Sequence, residues 1–264
     1  ESRPVKLTTR TGVEVRRTLP HRDLKMIGAW CFVDHFGPTQ QTDGMVVAAH
    51  PHTGLQTVTW LLEGAIEHRD SIGSIQRIEP GQLNLMTAGH GISHSELSLA
   101  GPERLHAVQL WVALPEHSMA AAPEFEHQPN LPTVKLLDFS GHEIGVATVL
   151  AGSFLGEEAQ TKIFSPMVGA EIRLKPNQAL QLKLEEGFEH GILAVEGEVQ
   201  VALTPLETSS LKYLEVGTES VQLLSGDAPV TLLLLGGKPF GERILMWWNF
   251  IGRTHSDIAG AREL

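Results

Sequence analysis

Turn signals recur through the first half of the chain at short, even intervals, and they leave little room for anything but β-structure. Glu63-Gly64, Asp70-Ser-Ile-Gly73 and Glu79-Pro80-Gly81 each follow an apolar or β-branched run of strand length. Thr57–Glu63 is rich in such residues, Ala65–Arg69 and Ser74–Ile78 follow it, and Gln82–Met86 comes next. Short strands punctuated this regularly predict an all-β barrel or sandwich. Thr11-Gly12 predicts a further turn, between Leu7–Arg10 and Val13–Leu19, and residues 39–45 read as a polar loop. Trp30–Phe36 and Leu105–Leu114 have strand character.

Two residue pairs flank this meander. His50 and His52 are two apart, as are His94 and Glu96. Side chains two apart on a strand point the same way, so each pair can aim two ligands at one side of a sheet. Taken singly either pair is a weak signal. Brought together they would offer three imidazoles and one carboxylate, a set suited to a divalent first-row metal, with Fe(II) a natural candidate. The ligand types do not separate iron from nickel, copper, manganese or zinc. Pro51 removes a backbone donor between the histidines and predicts an edge or irregular strand there.

The run H-P-H-T-G-L-Q-T-V-T-W-L-L-E-G-A-I-E-H-R-D-S-I-G, followed by P-G-Q-L-N-L-M-T-A-G-H-G-I-S-H-S-E, resembles the pirin family of the cupin superfamily. The similarity is dense over residues 44–96 and continues from G-V-E-V-R-R (12–17) and V-D-H-F-G-P (33–38) to the far end. The resemblance implies two stacked cupin barrels (double-stranded β-helix, or jelly-roll) with a short C-terminal helical tail. It brings the two ligand strands side by side and places one metal in the first barrel, on His50, His52, His94 and Glu96. It also implies an N-terminal metal-binding domain over 1–132, including a linker at 115–132. A C-terminal cupin domain would span 133–238, and a tail at 239–264 would return to the first barrel. The linker reading rests on four prolines and three consecutive alanines.

In the second half, Val134–Leu150, Phe164–Leu174, Gln178–Leu184, His190–Val195, Glu198–Leu203 and Val230–Leu235 read as strands. E-H-G-I-L-A-V-E-G-E-V (189–199) echoes W-L-L-E-G-A-I (60–66), a faint internal repeat. No H-x-H occurs there and His190 stands alone, so no metal is expected in that unit. Glu242–Arg253 is aromatic-rich and reads as helix or strand. Asp257–Leu264 has helix-forming composition, and Trp247-Trp248 is expected in an interdomain core.

By the same resemblance, the expected activity is that of a quercetin 2,3-dioxygenase, acting on a flavonol or a related enolic or phenolic molecule with dioxygen. Glu96 is then the candidate catalytic base. The alternative is a non-enzymatic, metal-dependent regulator of a transcription factor or metabolic enzyme, and a structural cupin with a vestigial metal is a third reading. Many pirins read H-P-H-R-G-F-E where this chain has His50-Pro-His-Thr-Gly-Leu-Gln56, so a glutamine that cannot act as a base replaces a glutamate. Gln56, His35 and His90 are candidates for supporting or pocket positions, the last in the glycine-framed Thr87–Gly91 loop. His68 reads as a surface or hairpin histidine.

Composition narrows the partners. Net charge is −11 over 264 residues, with no basic cluster beyond Arg16-Arg17, which disfavours direct nucleic-acid binding. Apolar residues make up 42%, enough for a real core. The longest apolar runs, such as Val230–Gly236, are of strand length, so no membrane association is expected. Arg3, Lys6 and Arg10 interrupt any signal-peptide pattern. The one cysteine, Cys31, reads as a small core residue and fits a reducing cytoplasm.

Overall fold

Alternating apolar strands need a second layer to cover their buried face, and here each half of the chain supplies its own. The computed structural model describes residues 1–6, 14–40, 45–98 and 104–263. The turn expected at Thr11-Gly12, and residues 41–44 of the expected polar loop, lie outside them.

The first half holds β1 (Arg3–Lys6), β2 (Glu14–Leu19), β3 (Trp30–Gln40), β4 (Val46–His52), β5 (Leu55–Glu63), β6 (Ile66–Asp70), β7 (Ile75–Ile78), β8 (Leu83–Thr87), β9 (Ile92–Ser98), β10 (Arg104–Ala113) and β11 (Glu124–Gln128). They form a sheet of order β1-β2-β3-β10-β5-β8-β11 and a second of order β4-β9-β6-β7. Val15, Phe36, Met45, Leu61, Ile66, Ile78 and Leu105 form one of its buried clusters. Cys31 is fully buried there, and burial pushes its thiol well above the ordinary range, so it is a core residue and not a reactive one.

The second half holds β12 (Thr133–Leu137), β13 (Glu143–Ala151), β14 (Ser153–Phe154), β15 (Glu157–Glu158), β16 (Met167–Leu174), β17 (Ala179–Lys183), β18 (Glu189–Glu196), β19 (Val199–Val201), β20 (Thr204–Leu206), β21 (Leu211–Leu214), β22 (Ser220–Ser225) and β23 (Val230–Gly237). Its two large sheets run β12-β13-β16-β23-β18-β21 and β17-β22-β19-β20. Their facing sides close over Val149, Ile172, Ile192, Leu223, Leu232 and their neighbours. Both halves are therefore antiparallel two-sheet cupin barrels.

The division into units is not a single cut. His21–Trp30 groups with the C-terminal cupin, and Gly241–Leu264 groups with the N-terminal one. That last segment forms the hairpin β24 (Leu245–Trp247) and β25 (Phe250–Gly252), then the helix α1 (His255–Ala261). The helix starts on a capping box, in which Thr254 accepts from the Asp257 N–H and Asp257 accepts from the Thr254 N–H. Phe250 bridges to Thr53, next to His52.

Two expectations change. The 115–132 stretch is not all linker, because Glu124–Gln128 adds to the edge of β8 as β11. Trp247 and Trp248 are not core, being 40% and 76% exposed. They stack on each other with ring centroids 5.3 Å apart, and Arg262 covers Trp247. A positive φ at Trp248 turns the hairpin there and directs the ring outward.

Candidate metal centre

β4 and β9 run antiparallel with His50 opposite His94 and His52 opposite Ile92, across a bulge between Val47 and His50. Pro51 is thus accommodated in a strand whose only strand partner among the described residues is β9. The pairing gathers three imidazoles. Ring centroids are 4.8 Å apart for His50–His52, 4.5 Å for His50–His94 and 5.0 Å for His52–His94. One ring nitrogen from each lies within 4.8 Å of the others. His52 and His94 bring their Nε2 atoms to 3.1 Å. Two ligands at right angles on an ion holding each at about 2.1 Å would stand about 3.0 Å apart.

The electrostatics suit the same role. Burial lowers the pKa of His50, and it lowers those of His52 and His94 much further, with neighbouring imidazoles adding to the effect. All three are therefore neutral near pH 7, the form that ligates.

Glu96 stands apart from His50 and His52. It groups instead with His94 and His68, which lies directly opposite it on β6. Burial pushes its carboxyl up to about 7, against the opposing pull of a hydrogen bond with Thr59. Thr59 Oγ1 lies 2.9 Å from Glu96 Oε1 and 3.1 Å from Gln109 Oε1. One hydroxyl proton cannot serve both acceptors. Thr59 donating to Glu96 leaves the carboxyl an acceptor, with Gln109 as the alternative partner of the same hydroxyl. The donor set of His50, His52 and His94 fits a divalent cation, and Glu96 is the carboxylate two residues from His94 on β9.

His68 is the residue that sequence reasoning missed. It is buried and stacks on Phe125 of β11, with centroids 4.4 Å apart. Its Nε2 lies 3.1 Å from Asp70 Oδ2, and its Nδ1 lies 3.3 Å from His94 Nδ1. Burial opposes ionisation of Asp70, but hydrogen bonds from Ser74 and His68 outweigh it and hold the carboxyl below its ordinary range. The tautomers then follow in order. His68 Nε2–H donates to Asp70, His94 Nδ1–H donates to His68 Nδ1, and His94 Nε2 is left with a lone pair for a metal. The available signal was His68-Arg-Asp70, a third pair two residues apart on a strand. Asp70→Asn, which can reverse this chain of protons, is expected to weaken Ni(II) binding by about 10–100-fold. His68→Leu should do the same. Calorimetric titration checks both, and unchanged affinity would remove His68 from the centre.

The remaining candidates lie elsewhere. Gln56 is buried and gives its Nε2–H to Thr87, and strand alternation puts it on the face of β5 opposite Thr59. His35 is fully buried and pairs with His106, the two Nε2 atoms being 2.8 Å apart. Burial, then His106 and Arg16, bring His35 down to about 3. His90 is exposed on a cleft of about 250 Å³ shared with Thr53, Gly54, Met119 and Ile251.

Two family models match the chain: Pirin over residues 12–112 and the Pirin C-terminal cupin domain over 169–264. A Pseudomonas aeruginosa protein named "Putative quercetin 2,3-dioxygenase" is 45% identical over 96% of this chain and 78% of its own length. A pirin-like protein of Caulobacter vibrioides is 34% identical over 94% of this chain and 86% of its own. The crystal structure of a quercetin 2,3-dioxygenase from Acinetobacter baumannii superposes with a TM-score of 0.93 at 39% identity, covering 99% of this chain and 85% of that one. No helix among the described residues is long and apolar enough to cross a membrane.

Proposed function

Since the chain belongs to the pirin family of bicupins, we propose that its N-terminal centre opens the ring of a flavonol, or of a related enolic or phenolic molecule, with dioxygen. The observation that carries this reading is the convergence of three neutral imidazoles, those of His52 and His94 buried and that of His50 half-buried. The sequence similarity to proteins named as quercetin 2,3-dioxygenases supports the substrate class. His50, His52, His94 and Glu96 would hold one divalent ion, most naturally Fe(II). Once bound, such an ion supplies Lewis acidity and, for iron, a redox centre.

The protein's own groups do the rest. Glu96, the buried carboxylate of this set, would take the flavonol hydroxyl proton. Thr59 keeps the carboxyl in one orientation before the substrate arrives. His68 and Asp70 fix the tautomer of His94. Trp111 lays its ring edge-on to His52 at 5.1 Å and helps to keep bulk water off it. Gln56, tied to Thr87 on the far face of its strand, takes no part in the proton transfer.

Fe(II)-loaded protein given quercetin is expected to consume dioxygen and release carbon monoxide, and His50→Ala to do neither. Absence of uptake with one ion bound per chain would sink the dioxygenase reading. Attention would then move to a regulator that binds another protein.

A further inference from the structure

The C-terminal cupin repeats the N-terminal one strand for strand. Its order β12-β13-β16-β23-β18-β21 matches β1-β2-β3-β10-β5-β8, and β17-β22-β19-β20 matches β4-β9-β6-β7. Even a bulge recurs, between β10 and β5 near Glu63 and between β18 and β23 near Glu196. With the turns Glu63-Gly64 and Glu196-Gly197 laid on each other, Lys183 takes the place of His50 and Glu185 that of His52. Gly187 falls on Gly54 and Phe188 on Leu55. The metal-binding pair has thus been replaced by one cation and one anion.

The place itself is not filled in. A cavity of about 430 Å³ opens there, walled by Phe154, Met167, Val168, Phe188 and Leu234. One buried polar side chain, His190, stands among them, while Ser153, Glu158, Lys183 and Glu185 of the lining are exposed. It is 1% exposed, and its Nδ1 has no hydrogen-bond partner among the described residues. Phe188 lies beside the ring at 6.1 Å. Gly236 makes room for it, since a Cβ there would fall 2.5 Å from His190 Cδ2. Burial lowers the imidazole to about 4, so it is uncharged at neutral pH. A neutral hydrogen-bonding group among apolar walls selects an uncharged, largely apolar molecule with one polar handle. Such a handle would return the free energy lost by leaving a buried nitrogen unpaired.

We propose that this cavity is a second, metal-free binding site for a planar aromatic molecule bearing a phenolic hydroxyl, with the hydroxyl paired to His190. The site does not depend on the chemistry of the N-terminal centre.

The test is calorimetric titration of the metal-loaded full chain with 2-naphthol and with naphthalene, alongside the ¹⁵N shift of the His190 imidazole. Wild type should bind 2-naphthol about tenfold tighter than naphthalene and shift the His190 resonance. His190→Phe should erase the preference while leaving naphthalene binding and metal content unchanged. His190→Gln, which still hydrogen-bonds, should restore the preference to within about threefold of wild type. A His190 resonance that stays still at saturating 2-naphthol, or equal preference in wild type and His190→Phe, would overturn the assignment. If His190→Phe does not fold, the resonance and the wild-type preference decide.

Discussion

Replacing His94 with alanine is expected to end stoichiometric metal binding. His94 alone belongs to both groups of converging donors, the one with His50 and His52 and the one with His68 and Glu96. It sits on β9, the strand between β4 and β6, and so stands between the two groups. Loss of a residue that merely orients a ligand costs about 10–100-fold in affinity, and loss of the ligand itself must exceed that. Anaerobic titration with Fe(II), and with Ni(II) as an air-stable probe, should give one ion per wild-type chain. The variant should bind at least about 100-fold more weakly. Without metal the variant should keep its fold, because the barrel core lies in apolar side chains and not in the imidazoles. An alanine variant that still binds one ion at full affinity would show that the ion sits elsewhere.

Gly54→Ala is expected to be among the most destabilising single-methyl changes in the N-terminal unit. Gly54 makes the turn from β4 into β5 at φ +71°, two residues after His52. A Cβ there would fall 2.2 Å from the Ile251 carbonyl oxygen, a backbone atom that cannot swing aside. The surrounding backbone is pinned as well. The Gly54 N–H donates to Gly89 O, the Leu114 N–H donates to Gly54 O, and the Ile251 N–H donates to Thr53 O. Left-handed backbone costs an L-residue about 1 kcal/mol, and the clash should bring the total to about 3 kcal/mol. The thermal midpoint would then fall by about 6–12 °C, with metal affinity falling too as His52 is displaced. Gly73 is the control. Its φ is +98° but nothing lies within 4 Å of an added Cβ, so Gly73→Ala should show the conformational cost alone. Equal midpoints for the two variants would mean that the close approach to Ile251 is not what holds the turn.

Both results rest on features that the sequence exposed to unequal degrees. Period-two alternation and glycine turns are local, so Thr57–Glu63, Ala65–Arg69 and Gln82–Met86 could be read directly as strands, and they fall on β5, β6 and β8. The i, i+2 spacing of His50 with His52 and of His94 with Glu96 is equally local. That the two pairs face one another is not, because cross-strand register between β4 and β9 spans more than forty residues. His68 was misjudged for the same reason. It lies in a short strand two residues before the Asp70–Gly73 turn, while its ring stacks on Phe125 of β11, a strand set inside a stretch whose prolines and alanines read as linker. Trp247 and Trp248 failed in the opposite sense. Aromatic character suggests a core, yet Trp248 sits in a two-residue hairpin turn with positive φ, and Trp247 stacks on it at the surface.

By itself the sequence determined the all-β class, the repeat of two similar units and the residue types of a divalent-metal centre. These depend on side-chain chemistry and on spacing within single strands. Only the tertiary structure decided that Glu96 is held back on Thr59 while three histidines converge. It alone decided that Gln56 faces the far side of its strand. It alone showed a cavity around His190 at the place in the second cupin where the first gathers its histidines. Each of these is a matter of register and of which strand lies next to which, set by packing two sheets face to face, and no window along the chain contains it.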